Sequence, residues 1–148
     1  MYTYKEMREA LDERIPEILN MPYHLDTVGF WRNEEIPTYC YYETLEHLFI
    51  DLITGTIKDD GLLERVLDFM EDMANSEDWD VRNLVQIQIL DGLFGLERDE
   101  FLKMERMLCP ETSKLLEESK HRFYEPNGYA PKKVDSPNAR KKKKKNRK

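Results

Sequence analysis

The chain has 148 residues, 40% of them hydrophobic and 36% charged, with a formal charge of −7. That length suits one domain able to bury a real core, and its clustered apolar residues set it apart from disordered chains. Its apolar runs fall far short of the roughly 20 residues that span a bilayer. The N-terminal MYTYKEMREALDER has no apolar signal region, and Cys40 and Cys109 stand in no CxxC or metal-ligand spacing. These features argue against membrane, secreted and disulfide-stapled classes, and for a cytoplasmic protein with reduced thiols.

Thr3 and Glu6 form a capping-box pair, so a first helix is expected from about Tyr4. Met7, Ala10 or Leu11, Ile15, Ile18 and Leu19 continue at helical spacing. Pro16 either kinks that helix or opens a second short one, and Pro22 closes the segment. Periodicity then vanishes over residues 21–38, where Pro22, Gly29, Asn33 and Pro37 favour turns. A structured aromatic loop carrying Tyr23, Phe30 and Trp31 is expected there.

A helix over residues 39–57, with Thr38 as its N-cap, has the stripe Tyr41, Leu45, Leu48, Phe49, Leu52, Ile53 and Thr56. Asp59, Asp60 and Gly61 break the chain before a strongly amphipathic helix at 62–74, whose inner face is Leu62, Leu63, Val66, Leu67, Phe69, Met70 and Met73. Residues 78–95, DWDVRNLVQIQILDGLFG, read as a helix that is apolar around most of its circumference and hence as the central core element. Ser76 or Asp78 caps it, Trp79 and Ile87 are among its expected buried residues, and Asn83, Gln86, Gln88 and Asp91 form its polar strip. A charged helix at 97–108 turns Phe101, Leu102, Met104 or Glu105, and Leu108 inward. Pro110 starts a last helix reaching about Phe123, with Leu115, Leu116, Ser119 and Phe123 buried.

Linkers of about 2 to 5 residues imply antiparallel neighbours. The expected fold is all-α: about six helices in antiparallel hairpins, stacked as a small HEAT/armadillo-like bundle over residues 1–125. Residues 126–148 are expected to be a disordered basic tail. Ten of the 23 basic residues but one of the 30 acidic residues lie in that tail, leaving 13 basic against 29 acidic in residues 1–125, a formal charge of −16. Such a body repels nucleic acid and membranes and attracts basic proteins. The run Lys141–Lys145 has no interleaved aromatics and reads as an electrostatic tail.

No GxSxG, P-loop, GxGxxG or HExxH motif is present. Glu43, His47 and Asp51 recur at four-residue spacing but need further ligands to hold a metal. Cys40 with His47 lacks any group to orient the histidine. Neither a cofactor nor a metal is expected, and the chain reads as a binding protein rather than an enzyme. The candidate surface runs from Phe30 to Glu46. Trp31, Tyr39, Tyr41 and Tyr42 are residue types that anchor interfaces, and Glu34, Glu35, Glu43 and Glu46 supply charge for steering. The alternative is that the aromatics cover the core and the acids solvate its edge.

The stretch LLERVLDFMEDMANSEDWDVRNLVQIQILDGLFG and the later MLCPETSKLLEE resemble a family of small uncharacterised bacterial helical proteins. The matching positions are Asn75, Ser76, Asp78, Val81, Asn83 and Leu84, then Asp91, and finally Cys109, Pro110, Thr112 and Leu115. The chain departs from that pattern at Cys109, where glycine is expected, and in its lysine tail. The resemblance implies a cytoplasmic immunity protein that binds and neutralises a cognate bacterial toxin, for which the acidic body suits a basic, nuclease-like target. A helical-repeat adaptor with another protein partner is the alternative.

Overall fold

The computed structural model describes residues 1–31 and 36–124, and the described residues are helical with no strand. Seven α-helices are present among them: α1 (Met7–Arg14), α2 (Pro22–Trp31), α3 (Thr38–Thr54), α4 (Asp60–Ala74), α5 (Trp79–Asn83), α6 (Arg98–Met107) and α7 (Pro110–Tyr124). Short 3₁₀ segments at Tyr4–Glu6, Pro16–Asn20 and Asp91–Gly95, and a π-helix at Leu84–Leu90, join them. The class is all-α, as the helical periodicities predict.

The local signals explain most boundaries. Glu6 accepts hydrogen bonds from the Thr3 N–H (3.2 Å) and hydroxyl (2.7 Å), fixing the first turn. Pro16 opens a separate 3₁₀ segment rather than kinking α1, because the residue before a proline is pushed out of the helical region and Ile15 sits at φ −131°, ψ 68°. Asp59 caps α4 by accepting from the Leu62 N–H (3.0 Å), and Asp78 caps α5 through the Asp80 N–H (3.0 Å). Gly55, at φ 86°, stops α3 three residues short of the expected end and leaves Thr56 exposed.

The core is one cluster running from Met7 to Leu116. It takes Leu11, Ile15 and Ile18 from the N-terminal segments, Leu45, Leu48, Phe49 and Ile53 from α3, and Val66, Phe69, Met70 and Met73 from α4. The Leu84–Leu90 π-helix sits at its centre, packed against α3, α4 and α7. Further packing joins α4 to α7 and α3 to α6, elements distant in sequence.

Two expectations need correction. Within the expected loop, Pro22–Trp31 is helical: Pro22 opens α2 instead of closing the preceding segment. Its only fully buried side chain is His24, while Leu25 and Phe30 are 56% and 78% exposed, so it carries no apolar stripe to detect. Residues 78–95 are not one α-helix. The Asp91 N–H bonds to the Gln86 carbonyl five residues back, the wider π spacing, and a 3₁₀ turn follows. Trp79 and Ile87 point outward at 60% and 49% exposure, and the Arg82 guanidinium lies 4.6 Å from the Trp79 ring centre. Gln86 leaves the expected polar strip and is buried, donating to the Leu115 carbonyl at 2.9 Å.

Candidate functional site

From Pro22 the chain winds so that Tyr23, Asp26, Thr27, Phe30 and Trp31 recur at i, i+3, i+4, i+7 and i+8 along one face of α2. With Cys40 and Glu43 from α3 these five line an open groove of about 370 Å³. Phe30 and Trp31 meet edge to face, ring centres 5.8 Å apart. Phe30 is the most exposed aromatic side chain among the described residues.

The Tyr23 hydroxyl donates to Glu43 Oε1 at 2.6 Å, and its ring stacks on His47 with centres 3.9 Å apart. That hydrogen bond to a carboxylate, reinforced by burial, pushes the Tyr23 hydroxyl up to about 12, so it remains a donor at any physiological pH. Next along α3, Glu46 is half-buried and accepts from Gln88 Nε2 at 3.2 Å. Burial holds its carboxyl above the usual range, the Gln88 hydrogen bond opposes that shift, and Glu43 adds to it. Gly92 makes room for Glu46: a Cβ there would collide with its carboxylate.

The surface expected from the sequence is thus divided. Trp31 and Glu43 line the groove, and Glu46 sits beside it on α3. Tyr39 is half-buried, its ring centre 6.4 Å from that of Tyr4. Tyr41 and Tyr42 are corrected from surface anchors to core residues. The Tyr42 side chain is completely buried and its hydroxyl donates to the Met7 carbonyl at 2.7 Å; the Tyr41 hydroxyl donates to Asp12 Oδ1 at 2.6 Å. Burial raises both phenols, most strongly Tyr42. Glu34 and Glu35 lie outside the described residues, as does the lysine run.

Asp26 and Thr27 were missed because they are polar and fall where periodicity in apolar residues is lost. The signal that finds them is Pro22 as a helix-opening residue, followed by the spacing from Tyr23. Of the thiol and metal alternatives, Cys40 lines the groove while the exposed His47 stacks on Tyr23. Among the described residues no group of three or more His, Cys, Asp or Glu side chains is placed to hold a metal ion.

Charge is also distributed unevenly on the surface. Asp72 pairs with Arg14, Glu17 with Arg65, Glu105 with Lys120 and Asp91 with Arg122. Among the described residues no Lys or Arg side chain pairs with Asp26, Glu43 or Glu46. The groove therefore combines an exposed aromatic wall with carboxylates that have no cation partner among the described residues.

These residues define an all-α domain with an aromatic, acid-lined groove between α2 and α3, and no described helix is long and apolar enough to cross a membrane. The chain belongs to a family of domains of unknown function, DUF7674, which it matches over residues 8–125. No curated protein and no solved structure matches it.

Proposed function

We propose that this protein is an immunity-type binding protein, acting in the cytoplasm, that neutralises a basic bacterial toxin domain by stoichiometric occlusion without turnover. The observation that carries this reading is the α2–α3 groove, where Phe30 and Trp31 stand beside the carboxylates of Asp26 and Glu43, which have no cation partner among the described residues. Large aromatics anchor interfaces because they bury much apolar area at small rotamer cost, and unpaired acids accelerate the approach of a basic partner. The formal charge of −16 over residues 1–125 supports the same partner class and disfavours a polyanion. The family resemblance in the 75–84 and 109–115 segments supports the toxin assignment.

A toxin gene beside this one is expected, and co-expression with its product tests the reading: protection of the cells is expected. Charge reversal at Glu34, Glu35, Glu43 and Glu46 is expected to slow association at low salt by at least tenfold. Unprotected cells, together with a pull-down free of basic partners, would sink the proposal. The alternative, a helical-repeat adaptor with HEAT-like stacked hairpins, draws on the packing of α4 against α7 and α3 against α6. A stable complex with a partner that has no toxicity favours it.

A further inference from the structure

We infer that the α2–α3 groove is a receptor for a single arginine side chain presented by the basic partner, with the guanidinium over the Phe30–Trp31 wall and its N–H groups on Asp26 and Glu43. This rests on the proposed partner class and assigns the chemistry that the groove selects. A volume of about 370 Å³ lies at the low end of the range for small ligand sites and accommodates one long side chain rather than a helix or a folded loop. Phe30, at 78% exposure, offers an unused ring face. A guanidinium stacks on such a face and is less strongly hydrated than an ammonium, so it loses less on leaving water.

The acids complete the match. Glu43 uses Oε1 for the Tyr23 hydroxyl, and a carboxylate has about four acceptor positions, so a two-pronged donor still finds room on it. Tyr23, locked to Glu43 and stacked on His47, fixes that carboxylate on the groove wall before any ligand arrives. Asp26 stands one turn before Phe30 on α2 and has no cation partner among the described residues. The planar fork of arginine uses two carboxylates and an aromatic face together, which the point charge of lysine cannot do.

The test is titration of the full chain, carrying Trp79→Phe so that Trp31 is the only tryptophan, with an acetylated and amidated hexapeptide of alternating glycine and arginine. A saturable change in Trp31 emission is expected, with the corresponding lysine peptide at least fivefold weaker. Phe30→Ala, and separately the pair Asp26→Asn with Glu43→Gln, are expected to weaken binding at least tenfold. Glu64→Gln with Glu97→Gln, acids remote in sequence from the groove, is expected to leave it unchanged. No saturable response, or equal weakening by the remote pair, overturns the inference. Replacing Lys141–Lys145 with serine discriminates an internal occupant: tenfold tighter peptide binding would mean that the chain's own lysines fill the groove, which also overturns it. Cell protection that survives Phe30→Ala while peptide binding is lost leaves the immunity reading standing and removes the groove from it.

Discussion

Glu71 Oε1 accepts both the backbone N–H and the hydroxyl of Thr112, each at 2.9 Å, and Glu71 Oε2 takes the Glu111 N–H at 2.8 Å. A side chain from the last turn of α4 thus caps the N-terminus of α7. It stabilises the positive end of that helix and satisfies donors that its own turn leaves open. This explains the CPET segment structurally: Pro110 starts the helix, and Thr112, which is buried, faces its acceptor.

Glu71→Ala leaves those donors without a partner and is expected to cost about 2–3 kcal/mol of unfolding free energy. Glu71→Gln, which keeps an acceptor oxygen, is expected to lose about half of that. Urea denaturation checks both, and a wild-type midpoint for Glu71→Ala would show that α7 needs no cap from α4.

His24 is buried on α2 with its Nδ1 unpartnered among the described residues and its ring edge-on to Tyr41, centres 5.2 Å apart. Burial lowers its pKa, Asp12 of α1 works against that shift, and Arg8 of α1 adds to it. The folded state therefore takes up a proton on this imidazole at lower pH than the unfolded chain does, whose ordinary value is 6.5. More protons on the unfolded chain mean that stability falls as pH drops below that value, until the folded protein is protonated as well. His24→Leu is expected to raise the thermal midpoint more at pH 5 than at pH 7.5. An equal shift at both would show that His24 does not titrate differently in the two states.

Gly92 and Glu46 are coupled by space. Gly92→Ala drives the Glu46 carboxylate out of its notch and away from Gln88, at an expected cost of about 1 kcal/mol. Adding Glu46→Ala is expected to remove most of that loss, because the obstacle is gone. A double-mutant cycle with no coupling would place the cost in the backbone instead.

Phe30→Ser and Tyr42→Phe separate surface from core. Phe30 is expected to be replaceable within about 0.5 kcal/mol, as a side chain that is 78% exposed. Tyr42→Phe removes the donor to the Met7 carbonyl inside the core and is expected to cost about 1–2 kcal/mol. Thermal denaturation of the two variants makes the comparison.

These pairs also show what the residues alone can convey. Asp59 and Asp78 announce their helices because a cap is a local event, written within three residues of the turn that it closes. The α3 and α4 stripes are legible because each helix buries one continuous face. Helix α2 is not, since its inner face rests on a histidine and its outer face carries Leu25 and Phe30. Trp31 and Glu43 were read from type and neighbourhood as surface residues, and both line the groove. Tyr41 heads the α3 stripe and was legible as core as well as surface, whereas Tyr42 lies off that stripe and was not, because an aromatic beside acids looks the same from either side of a helix. Which side prevails is decided by Asp12 and the Met7 carbonyl, which are 29 and 35 residues away.

The π-helix at Leu84–Leu90 has a consequence for chain length. A π turn holds one residue more than an α turn, and each helical residue advances the chain by about 100°. Removing a single residue from this stretch would let it relax to α spacing and rotate everything downstream by about a quarter turn. Asp91 would then swing away from Arg122, and Gly92 away from the notch that holds Glu46. The spacing between Leu84 and Gly92 is therefore a setting in its own right, and a one-residue deletion there should disturb the Glu46 side of the groove more than many substitutions within it.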